Sequence, residues 1–202
     1  YGKVGLRRKM IEDLLKEEIS LPAVTRDGEK VVFLANADSP DEVDNARFHG
    51  CEGVGLFRTE SIFLKKNKIP SEDDQYLEYR EIVESAHPLP VTIRTLDLGG
   101  DKILDSIGRE KEENPFMGFR AIRYCLRNPD VFLDQLRAIL RASAHGKVKV
   151  MFPMVSGVGE LVRAKEFLST AKRQLNDQGV VFDGEIEICL LYTSPSPRDP
   201  IG

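Results

Sequence analysis

Residues able to bind an anion gather at the end of one predicted strand. Residues 91–93 are β-branched and follow a proline, which predicts a short buried strand. Arg94, Asp97 and Lys102 come directly after it, around the glycine pair at 99–100. Glycines let backbone N–H groups approach a ligand, and the two cations supply positive charge. The stretch therefore favours an anion site, with a tight turn that bears solvated charges as the alternative.

Two more arginines occupy comparable positions. Arg58 directly follows another apolar stretch, and Arg120 lies in the segment Asn-Pro-Phe-Met-Gly-Phe-Arg. If the fold brings both to Arg94 and Lys102, the cations can make multidentate contacts to a phosphate or carboxylate and stabilise charge during phosphoryl transfer. A lone arginine is usually solvated or salt-bridged, and we expect this of Arg123, Arg127, Arg137 and Arg141.

The order of the predicted elements would bring these side chains together. Short apolar strands alternate with helices from residue 36 onward, and strands of this kind are typical of parallel sheets buried on both faces. The predicted strands cover residues 31–35, 53–57, 91–93, 148–151 and 185–188. The predicted helices cover residues 40–49, 71–86, 118–126, 129–145 and 159–176, and the connection 58–71 has no predicted structure. The alternation predicts an α/β fold.

Both a (β/α)8 barrel and an open doubly wound sheet contain this order of elements. Active sites in barrels lie at the carboxyl ends of the strands. Polar residues recur at those ends here, namely Asn36, Arg58, Arg94 and Asp97. We therefore predict the barrel.

Composition excludes several classes of protein. The 202 residues carry a net charge of −4, which argues against a broad nucleic-acid interface. No apolar run approaches the roughly 20 residues needed to span a bilayer, and the charged first 20 residues do not form a secretory signal. The three cysteines lack metal-ligand spacing, and an odd count suggests a reducing compartment. We expect a cytoplasmic protein without a nucleic-acid or membrane partner.

Five collinear blocks carry a resemblance to a known family. They include Gly-Val-Gly-Leu-Phe-Arg-Thr-Glu, Arg-Thr-Leu-Asp-Leu-Gly-Gly-Asp-Lys and Asn-Pro-Phe-Met-Gly-Phe-Arg-Ala-Ile-Arg. The chain resembles the C-terminal half of the phosphoenolpyruvate–protein phosphotransferases, the enzyme I family of the sugar phosphotransferase system. The blocks occupy residues 53–60, 94–102, 112–123, 135–143 and 150–154.

The resemblance implies a fold, a reaction and a site. The fold is a (β/α)8 barrel that binds phosphoenolpyruvate (PEP), with Mg²⁺ as cofactor and a homodimer as the assembly. Arg58 and Arg94 match residues that bind the substrate phosphate, Arg120 matches the site lining, and Lys102 has a supporting electrostatic role. The family moves the phosphoryl group of PEP to a histidine on a separate N-terminal domain, and then to a histidine-containing phosphocarrier protein. Pyruvate leaves as its enolate, which is then protonated.

The resemblance also implies that the chain is a fragment. Residues 1–20 would be a linker helix, and residues 21–188 about the first five of eight strand units of the barrel. Residues 189–202 resemble a translated sequencing adapter, with a genuine proline-rich end as the alternative. The phosphorylated histidine, the proton-donating cysteine and the metal-binding glutamate, expected just past Ile188, would lie outside the native part. Because five units cannot close a barrel, we expect the chain alone to be unstable and inactive.

Three related functions fit part of the same pattern. Pyruvate phosphate dikinase and PEP synthase share the arginines at the strand ends. A nitrogen-related paralogue of enzyme I would differ in a domain upstream. A non-catalytic barrel that senses PEP would not need the metal ligands.

Overall fold

The computed structural model describes residues 23–65, 69–98 and 120–192. Its five described strands form one parallel sheet in which neighbours in sequence are neighbours in space. The strands are β1 (Ala35–Ala37), β2 (Val54–Phe57), β3 (Val91–Arg94), β4 (Val148–Val155) and β5 (Glu187–Tyr192). A doubly wound sheet reverses its strand order at a switch point. The described strands show no such reversal, which is consistent with part of an α/β barrel.

Helices connect the strands, as the alternating pattern predicts. They are α1 (Pro40–Phe48), α2 (Glu60–Lys65), α3 (Glu72–Ala86), α4 (Ile122–Arg127), α5 (Pro129–Ala142) and α6 (Val158–Asp177), with a 3-10 turn at Ser143–His145. No helix among the described residues combines the length and apolarity needed to cross a membrane.

The core lies between the sheet and helices α3 and α5. Phe57 of β2 meets Tyr79 of α3 edge to face, with ring centroids 6.2 Å apart. Phe132 of α5 meets Phe152 of β4 in the same way at 6.1 Å. Each such side chain contributes about 1.5–3 kcal/mol when fully buried. Apolar residues at helical spacing predict a buried face on α3 and on α5. The structure confirms both faces at Tyr79, Ile82, Val83, Ala86, Phe132, Leu136, Ile139 and Leu140, which are all buried.

Helix starts follow the predicted signals to different extents. Ser71 as N-cap with Asp74 at the third helical position predicts reciprocal capping of α3, and this is confirmed. The Asp74 N–H donates to Ser71 Oγ at 3.2 Å, and the Ser71 N–H donates to Asp74 Oδ2 at 3.3 Å. The sequence from Ser39 to Glu42 likewise predicts a capping box for α1, but this prediction is wrong, since the Ser39 side chain makes no capping bond. Glu42 Oε2 instead accepts the backbone N–H of Asp38, the residue before Ser39, at 2.6 Å. A side chain therefore still binds a backbone N–H just before the start of α1.

The first predicted strand is misplaced. Residues 31–34 lie outside β1, and their side chains are exposed, Val32 by 57% and Phe33 by 56%. The Glu52 N–H donates to Phe33 O at 2.7 Å, so this backbone still runs beside the start of β2. β-branched residues favour strands because they fit a half-buried pleated surface. These side chains stay exposed among the described residues, so the propensity alone does not make a strand here.

Other elements also differ from prediction. The connection 58–71 contains helix α2, whose six residues are too few to show a helical period. Helix α4 begins at Ile122, not at 118, and residues 118–119 lie outside the described part. β4 continues past 151 through Pro153 to Val155, because an irregularity in its pairing with β5 accommodates the proline.

Some predictions fall on residues that the structure does not describe. The linker helix at 1–20 and Lys102 lie outside the described residues. Residues 189–192 continue β5, where Cys189 pairs with Met151 and Leu190 with Phe152. The assignment of residues 189–202 to an adapter stays a prediction.

Candidate anion-binding site

The site is built at the shared edge of β2 and β3. These strands are parallel neighbours, so their carboxyl ends lie side by side. Arg94 is the last residue of β3, and Glu60 begins helix α2 just after β2. Arg94 Nη2 donates to Glu60 Oε1 at 2.9 Å, with side-chain exposures of only 13% and 15%. A charge-assisted bond between side chains this buried fixes the guanidinium plane more firmly than a surface pair would.

Asp97 joins a second arginine to this pair. Its Oδ2 lies 3.0 Å from Nη1 of Arg94, and its Oδ1 accepts from Nη2 of Arg120 at 3.0 Å. The Asp97 N–H donates to Glu60 Oε1 at 3.1 Å, so the two residues that bind Arg94 also bind each other. We call these four residues, Arg94, Arg120, Glu60 and Asp97, the arginine–carboxylate cluster. Two cations balance two carboxylates, and this pairing offsets part of the cost of removing the charges from water.

Each arginine of the cluster has a buried donor that finds no partner among the described residues. This donor is the Nε–H of Arg94 and the Nε–H of Arg120. An unsatisfied buried donor costs about 1–3 kcal/mol, and more when the group is charged. A bound anion would relieve this cost, because phosphate and carboxylate oxygens accept bonds from guanidinium groups. The cluster thus holds two arginines through their Nη atoms and leaves their Nε–H groups as candidate donors to an anion.

Arg58 lies at the same edge but outside the cluster. It follows β2 directly, and its Nη1 pairs with Asp38 Oδ2 at 3.4 Å. Both side chains are about half exposed, at 47% and 44%. An exposed pair of this kind contributes about 0–1 kcal/mol, so Arg58 can exchange Asp38 for another anion at small cost. The structure therefore joins Arg94 to Arg120, gives Arg58 a separate partner, and does not describe Lys102.

Three residues of this region do not figure among the predicted site residues: Glu60, Thr59 and Gln135. Thr59 is buried, and its hydroxyl donates to the carbonyl oxygen of Arg94 at 3.0 Å. Gln135 of α5 is buried and accepts the N–H of Leu96 at 2.9 Å. Glu60 could have been found as the carboxylate nearest Arg58 in sequence. Gln135 could have been found because it is a polar residue within the apolar face of α5.

Two buried titratable groups beside the cluster are neutral at physiological pH. Burial raises the pKa of the Tyr79 phenol well above its ordinary value, and the Glu60 carboxylate adds to the rise. Burial also raises the pKa of the Cys125 thiol to about 12. Since a thiol reacts as its thiolate, Cys125 is not a nucleophile here. Tyr79 acts only as a donor and acceptor of hydrogen bonds.

The described residues do not form a metal site. Within residues 23–65, 69–98 and 120–192, no group of three or more His, Cys, Asp or Glu side chains is placed to hold a metal ion. The two carboxylates of the cluster, Glu60 and Asp97, already bind arginines. Mg²⁺ prefers several hard oxygen ligands in octahedral geometry, and this donor set does not fit that requirement.

Comparisons with known proteins place the chain among PEP-utilising enzymes. Residues 12–196 match the family described as the PEP-binding domain of PEP-utilising enzymes. The phosphoenolpyruvate-protein phosphotransferase of Haemophilus influenzae is 43% identical over 176 residues, which cover 87% of this chain and 31% of that relative. The phosphoenolpyruvate-protein phosphotransferase of Bacillus subtilis is 41% identical over 178 residues, which cover 88% of this chain and 31% of that relative. The protein of the same name from Geobacillus stearothermophilus is 44% identical over 173 residues, which cover 86% of this chain and 30% of that relative.

The chain spans about a third of the length of these curated relatives. The family match itself extends over most of the chain and includes every member of the arginine–carboxylate cluster. On the strength of that match, the chain belongs to the family of PEP-binding domains of PEP-utilising enzymes.

Proposed function

We propose that this chain binds the phosphate of PEP within a longer phosphotransferase, which we call the parent enzyme. The observation that carries the proposal is the pair of arginines held by Asp97, each with a buried Nε–H that has no partner within the part of the chain that the structure describes. The family match adds PEP as the ligand class. The names of the three relatives favour transfer of the phosphoryl group to a protein, ahead of the dikinase and synthase alternatives.

In the proposed reaction the bond between phosphorus and the enolate oxygen of PEP breaks. Phosphorus forms a bond to an imidazole nitrogen of a histidine on another domain, and the enolate takes a proton at carbon to give pyruvate. A histidine-containing phosphocarrier protein then accepts the phosphoryl group. Negative charge spreads over the phosphoryl oxygens during transfer, and Arg94 and Arg120 stabilise it through donors that are already in place.

The carboxylates of the cluster act on the arginines and not on the substrate. Glu60 and Asp97 bind Nη atoms and so fix both guanidinium planes before the ligand arrives. Because the cluster is neutral as a whole, an arriving dianion needs further positive charge. Arg58 supplies it by leaving Asp38, and Lys102 supports it electrostatically.

Other parts of the proposal concern the parent enzyme alone. Mg²⁺ is implied by the family resemblance, but the described residues do not fit it. The histidine acceptor, the phosphocarrier partner and the homodimer likewise belong to the parent enzyme. The chain by itself would bind PEP through half a site and would not transfer the phosphoryl group.

The test is PEP-dependent phosphorylation of a purified phosphocarrier protein by the parent enzyme. We expect Arg94→Ala and Arg120→Ala each to lower kcat/KM for PEP about 100-fold, as removal of a charge-stabilising donor does. Arg80→Ala is the matched control, because Arg80 pairs with Glu84 on the exposed face of α3 at 2.7 Å, away from the cluster. Near-normal rates in both site variants, or no transfer by the unmodified enzyme, would contradict the proposal.

A further inference from the structure

A buried glutamine lies directly behind the arginine–carboxylate cluster. Gln135 is 1% exposed and sits on the apolar face of α5, beside the buried Leu136. A buried amide carries a large cost unless both ends are bonded. Gln135 meets this condition, because its Oε1 accepts the Leu96 N–H at 2.9 Å and its Nε2 donates to Thr59 Oγ1 at 3.3 Å and to the Tyr79 hydroxyl at 3.1 Å. Both amide hydrogens are therefore in use.

Two of these contacts reach the two segments that carry the carboxylates of the cluster. Thr59 directly precedes Glu60, and Leu96 directly precedes Asp97. Thr59 also donates its hydroxyl hydrogen to the carbonyl oxygen of Arg94 at 3.0 Å. Gln135 thus ties the segment after β2 to the segment after β3, at the point where Glu60 and Asp97 hold Arg94.

The hydrogen-bond partners of Gln135 fix which end of its amide donates and which end accepts. The Thr59 hydroxyl donates to Arg94 O, and the Tyr79 hydroxyl donates to Gln75 Oε1 at 3.0 Å, so each can only accept from the amide nitrogen. Gln75 in turn donates to Pro70 O at 3.1 Å. On the opposite side, the Leu96 N–H requires an acceptor. Glutamine satisfies all three neighbours at once, whereas a carboxylate would face hydroxyls whose hydrogens are already committed.

We propose that Gln135 is a positioning residue for PEP binding and phosphoryl transfer. It does not touch the substrate. It sets the separation of the β2 and β3 ends, and thereby the placement of Arg94 against Glu60 and Asp97. This inference rests on the proposed function, because it assigns to Gln135 an effect on the phosphate site described above.

The experiment compares two buried glutamines in the parent enzyme. Gln135→Met keeps the side-chain volume but removes every hydrogen bond to Leu96, Thr59 and Tyr79. Gln75→Met is the matched control, because Gln75 is equally buried and belongs to the same chain of bonds, but contacts Tyr79 and Pro70 instead of the site segments. Thermal unfolding of both variants measures the purely structural loss.

We expect Gln135→Met to raise KM for PEP and lower kcat, so that kcat/KM falls about tenfold to a hundredfold, as a small misplacement of binding groups does. Gln75→Met should stay within about twofold of the unmodified enzyme at a similar loss of thermal stability. The Nε–H resonance of Arg94 reports the placement directly, and it should shift in Gln135→Met and not in Gln75→Met. Thr59→Val, which keeps its shape but loses the hydroxyl, should reproduce part of the effect.

The outcomes separate this inference from the function on which it rests. Equal kinetic losses in Gln135→Met and Gln75→Met, or an unshifted Arg94 resonance, would overturn the positioning role even if Arg94→Ala still lowered kcat/KM for PEP about 100-fold. An unmodified parent enzyme that does not use PEP would overturn both.

Discussion

Arg120 donates a hydrogen bond to Asp97 at 3.0 Å across 23 residues of sequence. The other carboxylate oxygen of Asp97 holds Arg94, also at 3.0 Å. One carboxylate therefore sets the spacing of two guanidinium groups. This shared anion, which is only 11% exposed, makes the two arginines a single unit at the sheet edge.

Removal of the shared charge should disable both arginines together. Asp97→Asn keeps the size of the side chain but leaves two partly buried cations facing one carboxylate. We expect kcat/KM for PEP in the parent enzyme to fall about tenfold to a hundredfold, and the stability of the domain to fall by about 1–3 kcal/mol. Steady-state kinetics and scanning calorimetry measure the two effects. Asp73→Asn is the control, because that carboxylate is 80% exposed and binds Arg141 on the outer helices; an unchanged KM in Asp97→Asn would count against the cluster.

The ion pair of Arg58 with Asp38 should compete with substrate. Asp38→Ala removes the competing carboxylate, so we expect KM for PEP to fall about twofold to fivefold, in line with an exposed pair of at most about 1 kcal/mol. Arg58→Ala should raise KM instead. Both values come from PEP titrations of the phosphotransfer rate at fixed ionic strength. If both variants move KM in the same direction, the exchange of Asp38 for phosphate is wrong.

The ionised Glu160 carboxylate should stabilise the domain at neutral pH and lose this effect in acid. Burial acts to raise the pKa of this carboxyl, but hydrogen bonds from the Ser156 N–H and hydroxyl and the pair with Arg123 outweigh it, so the pKa lies below its ordinary value of 4.5. A depressed folded-state pKa means that the contribution is fully present above the unfolded pKa and is lost as pH falls through the folded pKa.

Glu160→Gln should therefore lower the thermal midpoint of the domain at neutral pH, and the difference from the unmodified protein should vanish in acid below 4.5. Scanning calorimetry of the parent enzyme over a pH series measures this. Glu166→Gln, on the exposed side of the same helix, should show no such convergence. A difference that stays constant with pH would exclude the ionised form of Glu160 as the cause.

The 202-residue chain alone should neither unfold cooperatively nor transfer a phosphoryl group. Among the described strands, β1 and β5 are the two ends of the sheet, and each pairs on one side only. Exposed apolar side chains such as Val32 and Phe33 lie just before β1. Thermal unfolding of the purified chain, followed by circular dichroism, should be broad. A sharp transition with native-like compactness would contradict this, as would PEP-dependent phosphorylation of the phosphocarrier.

Local sequence signals determined much of the architecture. Short apolar stretches place β2, β3 and β4, and the serine and aspartate of the α3 capping box act within four residues of each other. The alternation of strands and helices suffices for a parallel sheet, because a strand that returns in the same direction needs a crossover helix. The sequence alone likewise identified Arg94, Arg120 and Arg58, because each follows a predicted strand or lies in a block shared with the family.

Tertiary structure alone decided how those residues are joined. Glu60 binds Arg94 across 34 residues, and Gln135 bonds to Leu96 across 39 and to Thr59 across 76. No local pattern encodes such partners, because a side chain's hydrogen bonds depend on which segments the sheet brings to the same edge. The sequence by itself supplied the cations and the strands that carry them. The parallel pairing of β2 with β3 brought a carboxylate, a threonine and a buried glutamine to those cations, and so formed the site.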